Sequence, residues 1–267
     1  IMSSDWSSDV CSSDLLTFTG RVAAESDDEI GALATEFNTM VATVQVSHEH
    51  LRDAADRERA ARIAAAAREE ETLRVLGAAT EFRDLETGAH IARVGMISEL
   101  LARLRGEDEA YRELILKASP LHDVGKIGIS DRILLKPGPL SKKEYETIKG
   151  HTSIGWRILS ASESIYLRAG AEIALTHHEW WDGSGYPAAT AGDEIPLSGR
   201  IVGIADVYDA LRSDRPYKAA QPHGEALEII RAGRGTHFDP ELVDLFVEHE
   251  HDVGLIYERA TARSDHG

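Results

Sequence analysis

Histidine and carboxylate residues fall in short clusters along this chain, in a pattern suited to holding more than one metal ion. His122 and Asp123 are adjacent, His177 and His178 form a second adjacent pair, and Glu86 and His90 are four apart. His151 and Asp206 stand alone between and after them. On a helix, residues four apart project from one face and can share a cation. Adjacent helical residues diverge by roughly 100°, which suits two neighbouring metals or a bridging carboxylate. Imidazole and carboxylate donors without thiolate favour octahedral iron, manganese or similar ions over structural zinc. The single cysteine, Cys11, excludes both a thiolate site and an intramolecular disulfide. Two or three divalent ions on such a set would make a hydroxide available near neutral pH and polarise a phosphoryl oxygen. Seven other histidines, His48, His50, His223, His237, His249, His251 and His266, have no comparable context and are read as surface or incidental positions.

Two motifs give these clusters a family context. His122-Asp123-Val124-Gly125-Lys126 is one, and His177-His178-Glu179-Trp180-Trp181-Asp182-Gly183-Ser184-Gly185-Tyr186-Pro187 is the other. Together they resemble the HD-GYP domain, a bacterial phosphodiesterase family that degrades cyclic di-GMP. The resemblance covers roughly residues 73–245. It implies an all-α HD-domain helical bundle with Glu86, His90, His122, Asp123, His151, His177, His178 and Asp206 as metal ligands. The Glu-x-x-x-His form at Glu86 and His90 is associated in the family with a third metal, and iron and manganese are the ions implied.

The same resemblance assigns Lys126 to the reacting phosphate, where an ammonium offsets developing charge. Asp84, two residues before Glu86, is expected near the metals, where it can handle a proton of the nucleophilic water. Arg215 and Lys218, in Asp214-Arg215-Pro216-Tyr217-Lys218, resemble a segment that contacts phosphate and guanine. The Gly185-Tyr186-Pro187 loop is implicated in site architecture and in docking of diguanylate-cyclase partners. Hydrolysis to pGpG, and onward to GMP, is the activity implied. A related branch cleaves cyclic GMP-AMP, and a non-catalytic signalling receptor is the reading from a different class. Trp180 and Trp181 are read as packing residues.

Toward the N-terminus, Ile30, Leu33, Phe37, Met40 and Val44 recur at alternating spacings of three and four. That pattern is the a/d seam of a coiled coil and predicts a parallel homodimer through residues 30–68. Asp28-Glu29-Ile30-Gly31-Ala32-Leu33 with Phe37-Asn38-Thr39-Met40 resembles the second half of a HAMP signal-relay module, assigned to 16–45, with a linker or signalling helix over 46–72. The remainder, 73–267, is the expected phosphodiesterase domain. Helices are predicted over Tyr111–Ser119, from the Ser141-Lys142-Lys143-Glu144 capping box toward His151, and over 152–161, 163–178, 198–212, 222–232 and 239–248.

Residues 1–15 repeat Ser-Ser-Asp three times and resemble the translation of a sequencing adaptor, so they are set aside from the fold. Lys and Arg total 29 against 46 Asp and Glu, a net charge of −17, which argues against a nucleic-acid polymer as partner. No apolar run approaches the roughly 20 residues that span a bilayer. The chain as given is therefore expected in the cytoplasm, with a longer protein anchored in the inner membrane.

Overall fold

The computed structural model describes residues 21–23, 28–84, 88–214 and 219–264. The chain divides into two compact units, Ile1–Ala67 and Arg68–Gly267. Helix α1 (Glu29–Asp84) contributes to both. Its first turn is fixed by the Asp28 carboxylate, which accepts from the Ile30 and Gly31 amides at 3.2 Å. Asn38 exchanges two 2.9 Å hydrogen bonds with the backbone of Val22. The seam residues Ile30, Leu33 and Met40 are exposed, as are Val44 and Leu51, whereas Ala34 and Val41 on another face are buried.

The larger unit continues with α2 (Gly88–Arg105), α3 (Glu109–Ala118), the short α4 (Asp131–Leu134), α5 (Lys142–Lys149), α6 (His151–Leu159) and α7 (Ile165–Thr176). It closes with α8 (Leu197–Arg212), α9 (His223–Ala232), α10 (Pro240–Glu248) and α11 (Glu250–Ser264). No strand occurs among the described residues; a single bridge joins Arg234 and Phe238. The domain is all-α and is preceded by a long helix, as the sequence implies. No helix among the described residues is long and apolar enough to cross a membrane.

Local chemistry sets several boundaries. Asp108 caps α3 through a 2.8 Å bond from the Tyr111 amide. The expected capping box starts α5, with Ser141 and Glu144 bonding each other's backbone. Lys136 adds a 2.7 Å ion pair to the same Glu144 carboxylate.

Two apolar clusters hold the helices. In the larger, Ile97 and Leu101 of α2 meet Ile173 of α7, Ile204 and Tyr208 of α8, and Phe246 of α10. Each of these is fully buried, and each large side chain contributes about 1.5–3 kcal/mol on leaving water. In the smaller, Leu73 of α1 packs with Leu121, Val124, Leu159 and Ala171. Leu121 and Val124 flank His122 and Asp123, so this cluster fixes the backbone that carries the dyad.

Candidate metal centre

The dyad is not on a regular α-helix. His122 and Asp123 lie between two 3-10 turns, Ser119–Leu121 and Val124–Gly128. Asp123 has φ −102° and ψ 9°, a backbone break that redirects its carboxylate relative to the His122 ring. His151 opens α6, His177 follows the last residue of α7 as its cap, and Asp206 lies midway along α8. His90 is the third residue of α2.

These elements bring seven of the eight expected ligands into two adjacent groups, Asp123 with His151, His177 and His178, and Asp206 with His90 and His122. Within each group the donor atoms lie within 4.8 Å of one another. Asp123 touches both. Its Oδ1 is 3.2 Å from His151 Nε2 and 3.8 Å from His177 Nε2, and its Oδ2 is 3.2 Å from His122 Nε2. Asp206 Oδ1 stands 3.8 Å from both His90 Nε2 and His122 Nε2.

The ring orientations share one device. His122 Nδ1 donates to Ser119 O at 2.9 Å, His151 Nδ1 to Ile148 O at 2.7 Å, and His177 Nδ1 to Ile173 O at 3.0 Å. A carbonyl can only accept, so Nδ1 of each ring carries a proton and each Nε2 faces the centre. Metal-ligating histidines are oriented in this way. His90 follows the same rule with a carboxylate, its Nδ1 lying 2.7 Å from Asp209 Oδ2.

The electrostatics suit ligation. Burial holds His151 and His178 below the usual imidazole value, and burial together with a charged His122 holds His177 down at about 3, so these rings are neutral. Burial also disfavours a charged His122, but Asp123 and Asp206 outweigh it and push that ring up to about 10. Asp123 is held well below the carboxylate range because Lys126 and His122 overcome its burial. A divalent ion between these carboxylates would compete with the His122 proton for the same lone pair. His122 Nε2 and Asp123 Oδ1 are buried, and their 3.2 Å contacts to Asp123 Oδ2 and His151 Nε2 lack hydrogen-bond geometry, which is costly unless something else engages them. The donor set therefore fits divalent transition ions.

Lys126 stands at the edge of the cluster, its Nζ 2.7 Å from Asp123 Oδ2. Glu86, Arg215 and Lys218 lie outside the described residues, and so does the side chain of Asp84.

The Gly-Tyr-Pro loop borders the second group. The Tyr186 ring lies 4.8 Å from the His178 ring, and Lys149 Nζ lies 5.5 Å from the centre of the same Tyr186 ring. Burial, reinforced by Tyr145 and Asp123, drives the Tyr186 hydroxyl far above its ordinary value and keeps it a neutral donor. A Cβ on Gly185 would fall 2.3 Å from Trp180 N and 2.6 Å from His178 O, so only glycine lets the loop fold back on its own start. Pro187 follows a cis peptide bond. The buried Glu179 carboxylate clips the far side, accepting from Ala188 N at 2.7 Å and Thr190 N at 3.1 Å.

Two histidines read as incidental have defined structural places. His237 stacks between Trp180 and Phe238, at 4.2 and 4.0 Å between ring centres. Its backbone carbonyl accepts from Trp181 N at 3.1 Å, tying the loop to the segment before α10. His223 Nδ1 lies 2.7 Å from the Tyr208 hydroxyl. Neither position sits in a repeating or paired motif that would have flagged it. Asp209 and Arg93 carry no motif of their own, although each follows an expected ligand by three residues on its helix.

An HD-domain family description matches residues 49–242. A cyclic di-GMP phosphodiesterase of Thermotoga maritima is 50% identical over 189 residues, which is 71% of this chain and 51% of the relative. One of Vibrio cholerae is 42% identical over 240 residues, 85% of this chain and 46% of the relative. A 3'3'-cGAMP-specific phosphodiesterase 2 of Vibrio cholerae is 48% identical over 174 residues, 65% of this chain and 33% of the relative. The chain thus spans about half or less of the curated relatives it matches. A crystal structure of a cyclic GMP-AMP specific phosphodiesterase in V. cholerae shares the fold, with a TM-score of 0.53 at 21% identity over 72% of this chain and 53% of that one.

Proposed function

The chain belongs to the HD-domain family, and from that premise we propose that it is a metal-dependent phosphodiesterase of the HD-GYP type that hydrolyses cyclic di-GMP. The observation that carries this reading is Asp123, whose two oxygens face two different groups of imidazoles. Asp123 could serve both groups, and His151, His177 and His178 would be the residues that hold one ion and His90, His122 and Asp206 those that hold a second. Glu86, four residues before His90, is the proposed ligand of a third. Iron and manganese are the proposed ions; when bound they supply an activated water and polarise the phosphoryl oxygens.

The chain's own groups do the rest. Lys126 Nζ neutralises charge on a phosphate oxygen as it develops. Arg215 offers a planar fork and Lys218 a point charge for the second phosphate and a base. Tyr186, with Gly185 and Pro187, walls the pocket beside His178. Asp84 takes the proton lost by water. Water adds to phosphorus, the P–O3' bond breaks with its electron pair going to O3', and that oxygen takes up a proton to become the 3'-hydroxyl of linear pGpG. A second round at the remaining diester gives GMP.

The identity to a 3'3'-cGAMP-specific relative favours cyclic GMP-AMP as the second reading. Incubating manganese-loaded protein with each cyclic dinucleotide and resolving the products separates them. Faster turnover of cyclic di-GMP supports the first reading, and faster turnover of cyclic GMP-AMP replaces it. Turnover of neither, with metal bound, leaves the receptor reading.

The N-terminal part is proposed to contain the second half of a HAMP module and a signalling helix, in a protein anchored in the inner membrane. A diguanylate cyclase is the proposed partner of the Gly-Tyr-Pro loop. The solvent-facing seam of Ile30, Leu33 and Met40 supports a parallel homodimer. Sedimentation of the chain should give a dimer, and replacing Leu33 and Met40 together by glutamate should give a monomer. A monomeric unmodified chain would refute the seam.

A further inference from the structure

We propose that Asp209, secured by Arg93 and through it by Tyr257 of the C-terminal helix, is the positioning residue that aims His90 at its cation. The proposal rests on the metal-centre reading above and goes beyond it in assigning the support of one ligand to residues of α8 and α11.

His90 differs from the other oriented histidines. Those rings donate to a carbonyl three or four residues earlier. His90 lies too close to the start of α2 to use a preceding turn of that helix. Its partner is instead Asp209, 119 residues away on α8, at 2.7 Å. Asp209 follows Asp206 by three residues, so one face of α8 presents both carboxylates. The His90 ring stands between them, Nδ1 toward Asp209 and Nε2 3.8 Å from Asp206. Fixing the first contact aims the second nitrogen.

Asp209 is itself fixed. Arg93, one turn after His90, donates through Nη2 to Asp209 Oδ2 at 2.8 Å and through Nε to Oδ1, a bidentate pair. The same Nη2 reaches Ser213 Oγ at 2.9 Å. His90, Arg93 and Asp209 are all buried, at 3, 4 and 1% exposure, so the arrangement has little room to relax. The Arg93 guanidinium lies 4.7 Å from the centre of the Tyr257 ring, and Arg212 lies at the same distance. Tyr257 Oη donates to Arg212 O at 2.7 Å, which locks the ring in place. Tyr257 belongs to α11 and stands beyond the residues that match the HD-domain family, 49–242. The C-terminal helix thus supports the His90 site from beyond the residues that match the HD-domain family.

The test is a Mn(II) titration of metal-free full-length chain, followed by electron paramagnetic resonance, with melting recorded for each variant. Asp209→Asn should weaken one class of Mn(II) sites about 10–100-fold and leave the other unchanged. Tyr257→Leu should weaken the same class by less, and Tyr257→Phe, which keeps the ring over Arg93 and loses only the bond to Arg212 O, should recover most of it. A residue that served stability alone would lower melting without separating the two classes. Unchanged Mn(II) binding in Asp209→Asn overturns the proposal. If that variant does not fold, the Tyr257 pair decides, and wild-type occupancy of both classes in Tyr257→Leu overturns it equally. Absence of Mn(II) binding by the unmodified chain would instead remove the metal-centre reading, and this proposal with it.

Discussion

Asp123→Asn is expected to keep the helical spectrum of the protein while lowering cyclic dinucleotide turnover on the order of 10³-fold, comparable to losing a main electrostatic group of an active site. The carboxylate offers one oxygen to His151 and His177 and the other to His122 and Lys126. An amide of the same shape keeps one oxygen but puts an NH2 where the second anionic donor stood, so it cannot serve both groups. Its backbone is held by the flanking 3-10 turns and by Leu121 and Val124, not by the carboxylate, which is why the fold should survive. Turnover and metal content measured on the same preparation check this. Turnover and metal content both within tenfold of wild type would remove Asp123 from the bridging role proposed for it.

Gly125→Ala should be more damaging to the fold. A Cβ at this position would stand 1.8 Å from His151 O and 2.5 Å from Gly155 N, both backbone atoms that no rotamer change can move. The turn that carries Lys126 and the start of α6, which carries His151, must therefore separate. The expected cost is at least about 3 kcal/mol, at the upper end for overpacking. For a domain of this size that is a fall in Tm of roughly 6–12 °C. Because His151 moves with the backbone, the surviving folded fraction should also bind metal poorly. Thermal unfolding with and without Mn(II) reads both effects, and a melting point within about 2 °C of wild type would show that α6 can shift without loss.

The fold was legible wherever one helix carried one apolar stripe or one cap. The spacing of three and four from Ile30 to Val44 marks the start of α1, the Ser141–Glu144 box marks α5, and the helices expected near 163–178, 198–212, 222–232 and 239–248 are α7 to α10. Helix α11 has no such mark, since its charged residues are spread between few apolar ones, and its hold on the domain comes from Val253 and Tyr257 packing on distant elements. The 3-10 turns around His122 and Asp123 were equally hidden, because short turns leave no period to read.

For the site, the resemblance to the HD-GYP pattern named seven positions that the fold brings together. Glu86, Arg215 and Lys218 lie outside the described residues, so their roles stand as proposals. Asp209, Arg93 and Glu179 escaped notice because a supporting residue is defined by its partner, and those partners are remote: Asp209 serves a ring 119 residues away. The spacing of three from Asp206 to Asp209 and from His90 to Arg93 was the available sign, and it becomes meaningful only once α2 and α8 are seen to pack together.

The most direct test of the central claim is elemental analysis of anaerobically purified protein coupled to a product assay on the same sample. At least two equivalents of iron or manganese per chain are expected, with release of pGpG from cyclic di-GMP that falls in step as a chelator removes the metal. Full hydrolysis by protein stripped of metal, or fully loaded protein that leaves every cyclic dinucleotide intact, would contradict it.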